Sequence, residues 1–300
     1  MNYIIAGKND AAGISGNDSA DLAVYFELGW EVVGSRLDAI KLLRTNKISN
    51  ENTTIVTIDD RKFMYTSMFK NVISWDEFRK RHINGEIGMF DTVEDWTQIR
   101  QFSFLNPNRD FEFWENRDAS PQANSRYSRY EQDYDYIVNG FTKNDEITKV
   151  LEENEQYYVA CLRFRDHCNF RSSPEEWWSF LLNKITNETG RKVFLVGHGS
   201  EKFVKNEKMK HVKKLQDYVT LIQDNRCKSV VSTSTGTLVL ALTASKSPVH
   251  WVDHADVSFI PENNAVMGGN CARFLKSKLY RYGSVDITLD GINRILSRIV

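Results

Sequence analysis

The sequence predicts an α/β protein of two domains in series, each with a largely parallel β-sheet between helices. The chain has 300 residues, which exceeds the roughly 150 residues typical of one domain. Short strands alternate with helices in both halves, a pattern typical of βαβ units. The run Val193–Val196 is apolar at every position, as in a strand that is covered on both faces.

The first domain is expected over 1–150. It begins with a strand at 3–6, followed by a loop rich in Gly, Asn and Asp. The elements expected next, in chain order, are a helix at 20–28, a strand at 30–34, a helix at 37–43, and strands at 53–58 and 72–73. Aromatic and charged residues then mix without a clear period over about 88–130, which indicates an irregular insertion, with a helix at 131–141 after it.

The second domain is expected over 151–285, where the strand–helix alternation resumes. Its expected elements are a strand at 157–163, a helix at 175–186 that Gly190 ends, a strand at 192–196, a helix at 215–223, a strand at 229–232, a helix at 236–244 and a strand at 249–252. A terminal helix is expected over 286–300. Its apolar stripe, which includes Leu289 and Leu296, is expected to pack back on the N-terminal domain.

The charge balance disfavours some classes of partner. Lys and Arg number 39 against 40 Asp and Glu, which gives a formal net charge of −1. Proteins that bind nucleic acid usually carry a basic surplus, because neutralising phosphates supplies most of their non-specific affinity. A nucleic-acid partner is therefore not expected.

The cysteines and the apolar runs bear on the compartment. Cys161, Cys168, Cys227 and Cys271 lie far apart and form no CxxC pair, so reduced structural thiols are expected rather than a disulfide framework or a zinc site. No signal segment precedes the first strand, and no apolar run approaches the roughly 20 residues of a membrane span. A cytoplasmic protein without a membrane span is expected.

Three motifs follow strands of the second half. Arg163-Phe164-Arg165 follows the first strand, Gly197-His198-Gly199 the next, and the small-residue turn Ser232–Gly236 a third. Their order over 157–254 resembles the donor-binding domain of GT-B glycosyltransferases, closest to the ADP-heptose-type and fucosyltransferase-like families. The resemblance implies an α/β fold of two Rossmann-like domains that face each other across a cleft. It also implies that the C-terminal domain holds the nucleotide-sugar donor.

The last turn departs from the heptosyltransferase-like pattern. That family usually has Asp-Ser-Gly here, with a His a few residues later. This chain has Ser234-Thr235-Gly236, and Val239 stands near the place of the His. The resemblance therefore leaves the identity of the sugar open.

The donor-binding residues are predicted from the chemistry of a diphosphate. Guanidinium groups match diphosphate oxygens bidentately, and helix starts supply free N–H donors. The alternatives are surface ion pairs of the arginines with Asp166 or Glu175, a strand-to-helix turn without a ligand, and a structural role for His198. The predicted donor-binding residues are Arg163, Arg165, Arg171, Gly197, His198, Lys202, Ser234, Thr235, Gly236 and Thr237.

No metal and no cofactor besides the nucleotide sugar is expected. Two acidic pairs imitate the carboxylate motif that holds a divalent ion in metal-dependent enzymes, namely Asp59-Asp60 and Asp133-Tyr134-Asp135. A turn after a strand is the ordinary interpretation of the first, and a solvated helix face that of the second. Basic side chains and backbone N–H groups would then stabilise the leaving diphosphate.

An inverting transfer needs a general base for the acceptor hydroxyl. Its expected place is the loop after the first strand, where Gly16-Asn17-Asp18 resembles the glycine-plus-acid turn of GT-B families. Asp18 is the predicted base and Asp10 the second candidate; the alternative for Asp18 is a helix N-cap. A base must come within hydrogen-bond reach of the acceptor oxygen.

The function expected from these residues is metal-independent, inverting transfer of a sugar to a hydroxyl of a glycan or glycoconjugate. Three alternatives stay open on the same scaffold: a nucleotide-sugar 2-epimerase, a DNA-base glycosyltransferase and a non-catalytic interaction protein. The sequence has no GxSxG, HExxH or P-loop motif, so hydrolase, zincin and kinase functions lack their minimal parts.

Overall fold

The chain forms two compact units in the computed structural model, Met1–Thr142 and Lys143–Val300. The residues that the structure describes are 2–6, 28–32, 36–46, 48–83, 104–105, 138–164, 174–233, 235–253, 279–284 and 289–299. None of the described helices has the length and apolar character that a bilayer span requires.

The first unit contains a four-stranded sheet in the order β3-β2-β1-β4. Its strands are β1 (Asn2–Ile5), β2 (Thr53–Thr57), β3 (Asn71–Ser74) and β4 (Phe104–Leu105). The first three are parallel, and β4 pairs antiparallel with β1. Every residue of β2 is buried, which fits its β-branched sequence and its place between two strands.

Helical segments accompany this sheet. They are α1 (Leu28–Trp30), α2 (Arg36–Arg44), a 3-10 helix (Asp59–Met64) and α3 (Trp75–Ile83). The strand expected at 30–34 is wrong where the structure describes it, because residues 28–32 are helical. Glu31 and Val32 are adjacent and both buried, whereas a half-buried strand would send one of them to solvent.

Parts of the first-domain prediction fall outside the described residues. These are the helix at 20–28 except for its last residue, most of the helix at 131–141, and the acidic pair Asp133-Tyr134-Asp135. Within the region 88–130, the structure describes β4 alone.

The second unit contains a six-stranded sheet in the order β10-β9-β8-β5-β6-β7, and all of its neighbouring strands are parallel. The strands are β5 (Tyr157–Cys161), β6 (Lys192–Val196), β7 (Met209–Val212), β8 (Cys227–Ser232), β9 (Val249–Asp253) and β10 (Leu279–Ser284). Read from β7, this is the 3-2-1-4-5-6 order of the doubly wound Rossmann fold. The predicted α/β fold with parallel sheets is confirmed.

The helices of this unit are α4 (Glu146–Lys149), α5 (Glu175–Thr189), α6 (Leu215–Gln223), α7 (Gly236–Ala244) and α8 (Leu289–Ile299). Gly190 ends α5 in the left-handed conformation at φ 68°, as its sequence position predicts. Helix α7 is apolar around its circumference and is buried from Thr237 to Ala244, as expected of a helix that is covered on all sides.

The apolar stripe of α8 packs within the second unit. Ile295, Leu296 and Ile299 belong to the same buried cluster as Trp177 and Trp178 of α5. The main-chain carbonyl of Ile299 also accepts a hydrogen bond from the hydroxyl of Tyr158, at 3.4 Å. The stripe is expected from its sequence to pack on the N-terminal domain, but these three residues are buried in the core of the helix's own unit, where Trp177 and Trp178 of α5 offer apolar surface.

The junction between the units is short. The backbone N–H of Thr142 donates to Phe63 in the first unit at 2.9 Å. Two residues later, the side-chain amide of Asn144 donates to Asp217 at 2.7 Å, and its backbone N–H donates to the hydroxyl of Thr220 at 2.8 Å. Lys143 therefore stands between two residues that are anchored in different units.

Candidate functional site

The sheet of the second unit has a topological switch point at β5. The chain runs from β5 to β6 and β7 on one side, then returns to β8, β9 and β10 on the other. Loops that leave β5 and β8 therefore diverge, and in open α/β sheets ligands bind in the crevice that this divergence opens beyond the carboxyl ends of the strands. Arg163 lies just past the end of β5, and the turn 233–237 lies just past the end of β8.

The turn after β8 is built to start a helix. Thr235 caps α7, since its hydroxyl accepts a hydrogen bond from the backbone N–H of Leu238 at 3.2 Å. The hydroxyls of Thr235 and Thr237 lie 2.6 Å apart. Gly236, the first residue of α7, adds no side chain between the helix start and a ligand. A helix start with small residues lets phosphate oxygens approach backbone N–H groups.

Thr233 adds a buried hydroxyl to this turn. Its backbone N–H donates to the carbonyl of Cys161 at 3.3 Å, which joins the ends of β8 and β5. Thr233 is fully buried, and its hydroxyl has no hydrogen-bond partner among the described residues. An unsatisfied buried hydroxyl costs about 1–3 kcal/mol.

Arg163 is buried at the end of β5, with 8% of its surface exposed. Glu175, one of the acids considered as its partner, forms an ion pair with Lys202 instead. Asp166, the other acid in the ion-pair alternative, lies outside the described residues, so that alternative stays open. Arg165, Arg171 and Ser234 lie outside the described residues, so their predicted roles stay predictions.

The glycine loop after β6 packs against the segment that carries Arg163. Gly197 has φ 114°, and a Cβ there would lie 2.0 Å from the main-chain oxygen of Leu162. Gly199 has φ 75°, and a Cβ there would lie 3.1 Å from the Cβ of Phe164. Both glycines thus let the loop press against the residues on either side of Arg163. His198, between them, is exposed.

Lys202 is occupied by neighbouring side chains. It forms an ion pair with Glu175, and its Nζ lies 4.1 Å from the centroid of the Phe164 ring. Phe164 stacks in turn on Phe203, with ring centroids 5.0 Å apart. A cation over an aromatic face is stabilised by the ring quadrupole. To bind a phosphate as predicted, Lys202 would have to leave or share these contacts.

The candidate bases Asp10 and Asp18 lie outside the described residues. Asp59 and Asp60 are exposed, and Asp59 pairs with Lys62 at 2.8 Å within the 3-10 helix, which matches the ordinary interpretation of this pair as a turn. In the described part of the chain, no group of three or more His, Cys, Asp or Glu side chains is arranged to hold a metal ion.

A buried carboxylate that the sequence analysis missed lies at the end of β2. Glu31 accepts hydrogen bonds from the hydroxyl of Thr57 at 2.5 Å, from the guanidinium of Arg61 at 2.8 Å and from the hydroxyl of Tyr65 at 3.2 Å. Burial raises the pKa of Glu31, and Arg61 and the hydrogen bonds oppose this shift. With three donors on its oxygens, this carboxylate is a structural anchor rather than a free base.

An open cavity of about 660 Å³ lies elsewhere on the second unit. Its lining includes Lys192, Phe194 and Gly190 near the start of β6, and Lys208 and Lys210 at the start of β7. It contains none of the predicted donor-binding residues. Because ligands of open α/β sheets bind at the switch point beyond the carboxyl ends of the strands, we place the candidate site there instead.

Comparison with solved structures reveals the same fold in heptosyltransferases. E. coli ADP-heptose lps heptosyltransferase II is 12% identical with a TM-score of 0.52, over 91% of this chain and 96% of that chain. E. coli heptosyltransferase WaaC with ADP is 11% identical with a TM-score of 0.53, over 91% and 97%. The same enzyme with ADP-2-deoxy-2-fluoro heptose is 12% identical with a TM-score of 0.51 and the same coverage. The chain therefore has the GT-B fold.

The likeness is one of structure. No protein-family model matches the chain, and no curated protein matches it in sequence.

Proposed function

We propose that the chain is a glycosyltransferase that moves a sugar from a nucleotide-diphosphate sugar to a hydroxyl of a glycan or glycoconjugate. The observation that carries the proposal is the switch point of the second unit, which is flanked by a buried arginine, Arg163, and by the start of α7. The GT-B fold supports it, because structural relatives were solved with ADP and with an ADP-sugar analogue.

The proposed chemistry follows from the leaving group. As the bond between sugar and diphosphate breaks, negative charge grows on the diphosphate oxygens. Arg163 would hold these oxygens with its guanidinium group, and the N–H groups at the start of α7 would add fixed donors. The hydroxyl of Thr233 supplies one more donor. Because these groups can stabilise the charge themselves, the proposal includes no metal ion and no further cofactor.

The acceptor side of the proposal rests on the sequence. Asp18, with Asp10 as the second candidate, would take the proton of the acceptor hydroxyl while its oxygen attacks the anomeric carbon from the face opposite the diphosphate. This in-line attack inverts the configuration. Glu31 is not proposed for this role because Thr57, Arg61 and Tyr65 occupy its carboxylate. Reaction in the cytoplasm is part of the same proposal.

The donor-binding half is tested by calorimetry with ADP, UDP, GDP and CDP. The wild type should bind at least one of them, and Arg163→Ala should weaken that binding at least about tenfold, as expected when a charge-assisted bidentate contact is lost. Lys210→Ala, which removes a charge at the separate cavity, is the matched control and should bind like the wild type. Absence of binding by the wild type, or equal effects of the two variants, would contradict the proposed donor site.

The transfer half is tested by nucleotide release from the matching nucleotide sugar. Release that depends on an added acceptor supports transfer, whereas release without an acceptor points to a 2-epimerase. Asp18→Asn should abolish transfer and leave nucleotide binding unchanged; if Asp10→Asn does so instead, Asp10 is the base. Salt-sensitive binding of duplex DNA would favour the DNA-base alternative. A protein that binds donor but releases nothing with any acceptor would favour the non-catalytic one.

A further inference from the structure

We infer that Tyr218 is a positioning residue of the donor site, which holds the first turn of α7 in place through its phenolic hydroxyl. The inference rests on the proposed function, because it assigns to Tyr218 the support of the helix start at which the diphosphate is proposed to bind. Tyr218 itself touches no proposed ligand group and acts through the main chain of Thr237.

The direct contact is a buried hydrogen bond between two helices. Tyr218 belongs to α6 and is fully buried, and its hydroxyl donates to the main-chain oxygen of Thr237 at 2.9 Å. Thr237 is the second residue of α7. A bond to the main chain of the first turn restrains the backbone that presents the N–H donors, whatever side chain stands there.

The same hydroxyl belongs to a cluster that spans the switch point. Burial raises the pKa of the Cys161 thiol, and the neighbouring side chains of Tyr218, Thr237 and Ser232 oppose this shift. Cys161 and Ser232 are the last residues of β5 and β8, and they face each other in the register of these strands. The cluster thus links the last residues of β5 and β8 to α6, which precedes β8 in the chain, and to the first turn of α7, which follows it.

Tyr218 differs from other buried, hydrogen-bonded tyrosines in the location of its hydrogen bond. A buried phenol needs a partner, and many serve only that need. Tyr157 is such a case: it is fully buried, and its hydroxyl donates to the main-chain oxygen of Leu221 at 2.8 Å. Tyr157 is the first residue of β5, so its bond lies at the end of that strand opposite the crevice. Both hydrogen bonds involve α6, but that of Tyr218 reaches the first turn of α7, whereas that of Tyr157 reaches the first residue of β5.

The test compares Tyr218→Phe with Tyr157→Phe in the full-length protein. Each change removes one buried hydroxyl, and the two variants should lose similar thermal stability. The affinity for the nucleoside diphosphate that the wild type binds should fall about tenfold in Tyr218→Phe, since small displacements of binding groups have effects of this size. Tyr157→Phe should bind like the wild type.

A second measurement does not depend on any ligand. Hydrogen exchange of the unliganded protein should be faster in Tyr218→Phe at the amides of Leu238 and Val239, which close the first turn of α7. Tyr157→Phe should leave these amides unchanged. Cys161→Ala, which removes the thiol from the same cluster, should shift exchange in the direction of Tyr218→Phe by a smaller amount.

The outcomes separate this inference from the proposed function. If the wild type binds a nucleotide and Tyr218→Phe binds it equally well, the positioning role is overturned and the donor site stands. Equal weakening in both tyrosine variants, or unchanged exchange in the first turn of α7, also overturns the positioning role. If the wild type binds none of the four nucleotides, the donor site fails and the role of Tyr218 fails with it.

Discussion

A side chain at Gly197 would collide with the main chain of Leu162, because a Cβ there would lie 2.0 Å from the Leu162 oxygen. The contact joins the loop after β6 to the segment that leaves β5. Leu162 also donates its backbone N–H to the carbonyl of Val196 at 2.8 Å, so a hydrogen bond joins the two strand ends next to this contact. The position of Arg163, the next residue, depends on this close approach.

Gly197→Ala should destabilise the protein strongly. The backbone at φ 114° is a conformation that L-residues rarely adopt, which costs about 1–3 kcal/mol, and the clash with Leu162 adds to that cost. The matched control is Gly190→Ala, where φ is 68° and no atom lies within 4 Å of the added Cβ, so only the left-handed penalty of about 1–2 kcal/mol applies. Urea unfolding measures both. Equal losses in the two variants would show that the contact with Leu162 relaxes.

Glu31→Ala should cost about 3–5 kcal/mol of folding free energy, because it removes one partner of the buried ion pair with Arg61. The side chain of Glu31 is fully buried and that of Arg61 is 10% exposed. Glu51→Ala is the control, since Glu51 and Lys70 form an ion pair whose side chains are 57% and 66% exposed; exposed pairs contribute about 0–1 kcal/mol. A loss below that of Glu51→Ala in urea unfolding would refute the anchoring role of Glu31.

Acid should weaken the fold through His250. Burial, together with the positive charge of Arg298, lowers the pKa of His250 from 6.5 to about 4. Between these two values the unfolded chain binds the proton more tightly, so the stability that His250 contributes is present above pH 6.5 and is lost as the pH falls toward 4. The loss is on the order of 3 kcal/mol. Stability measured from pH 7 to pH 4 should fall less steeply in His250→Gln.

The control for this pH dependence is His198→Gln, which removes an exposed histidine and should keep the slope of the wild type. If His250→Gln follows the wild-type curve over this range, the histidine does not gain its proton on unfolding and the prediction is wrong.

Cys161 and Cys227 should resist alkylation in the folded protein. Both are free and buried, and burial raises the pKa of Cys161 to about 11 and that of Cys227 to about 12. Because the thiolate is the reactive form, labelling by iodoacetamide at pH 8 should be at least about 100-fold slower than in urea. Peptide mass spectrometry follows each cysteine separately. Rapid labelling of Cys161 in the native protein would contradict the sealed cluster around Tyr218.

Elements with strong local patterns could be predicted from the sequence. The helices α6 and α7 begin and end at the expected residues. Helix α6 carries a clear apolar face, and α7 follows a strand through the small-residue turn that ends in the N-cap Thr235. The strand Lys192–Val196 has its expected bounds because Val193–Val196 is an unbroken apolar run. In each case the residues whose pattern predicts the element lie within about ten positions of one another.

Elements that depend on distant partners were missed. Strand β7 reads Met-Lys-His-Val, which is too short and too polar to stand out, and it forms because β6 offers a free edge. Leu279–Ser284 has a similar mixture and pairs with β9. Helix α3 was missed as well.

The candidate site shows the same division. The positions of Arg163 and Thr235 after the ends of strands could be predicted because motifs follow strands in a recognisable order, whereas their binding roles stay predictions. Glu31 could not, since its partners Thr57 and Arg61 lie 26 and 30 residues away in the chain. The contact of Tyr218 could not be predicted either, because it depends on which turn of α7 packs against the tyrosine.

Thr142 and Asn144 are hydrogen-bonded to different units on either side of Lys143. The chain could therefore be divided at Lys143. A backbone break there would leave the neighbouring anchors, at Phe63 on one side and at Asp217 and Thr220 on the other, within their own polypeptides. Each half could then be produced as a separate fragment or exchanged with that of another protein. Recombination at Lys143 would keep each of the two β-sheets within one polypeptide.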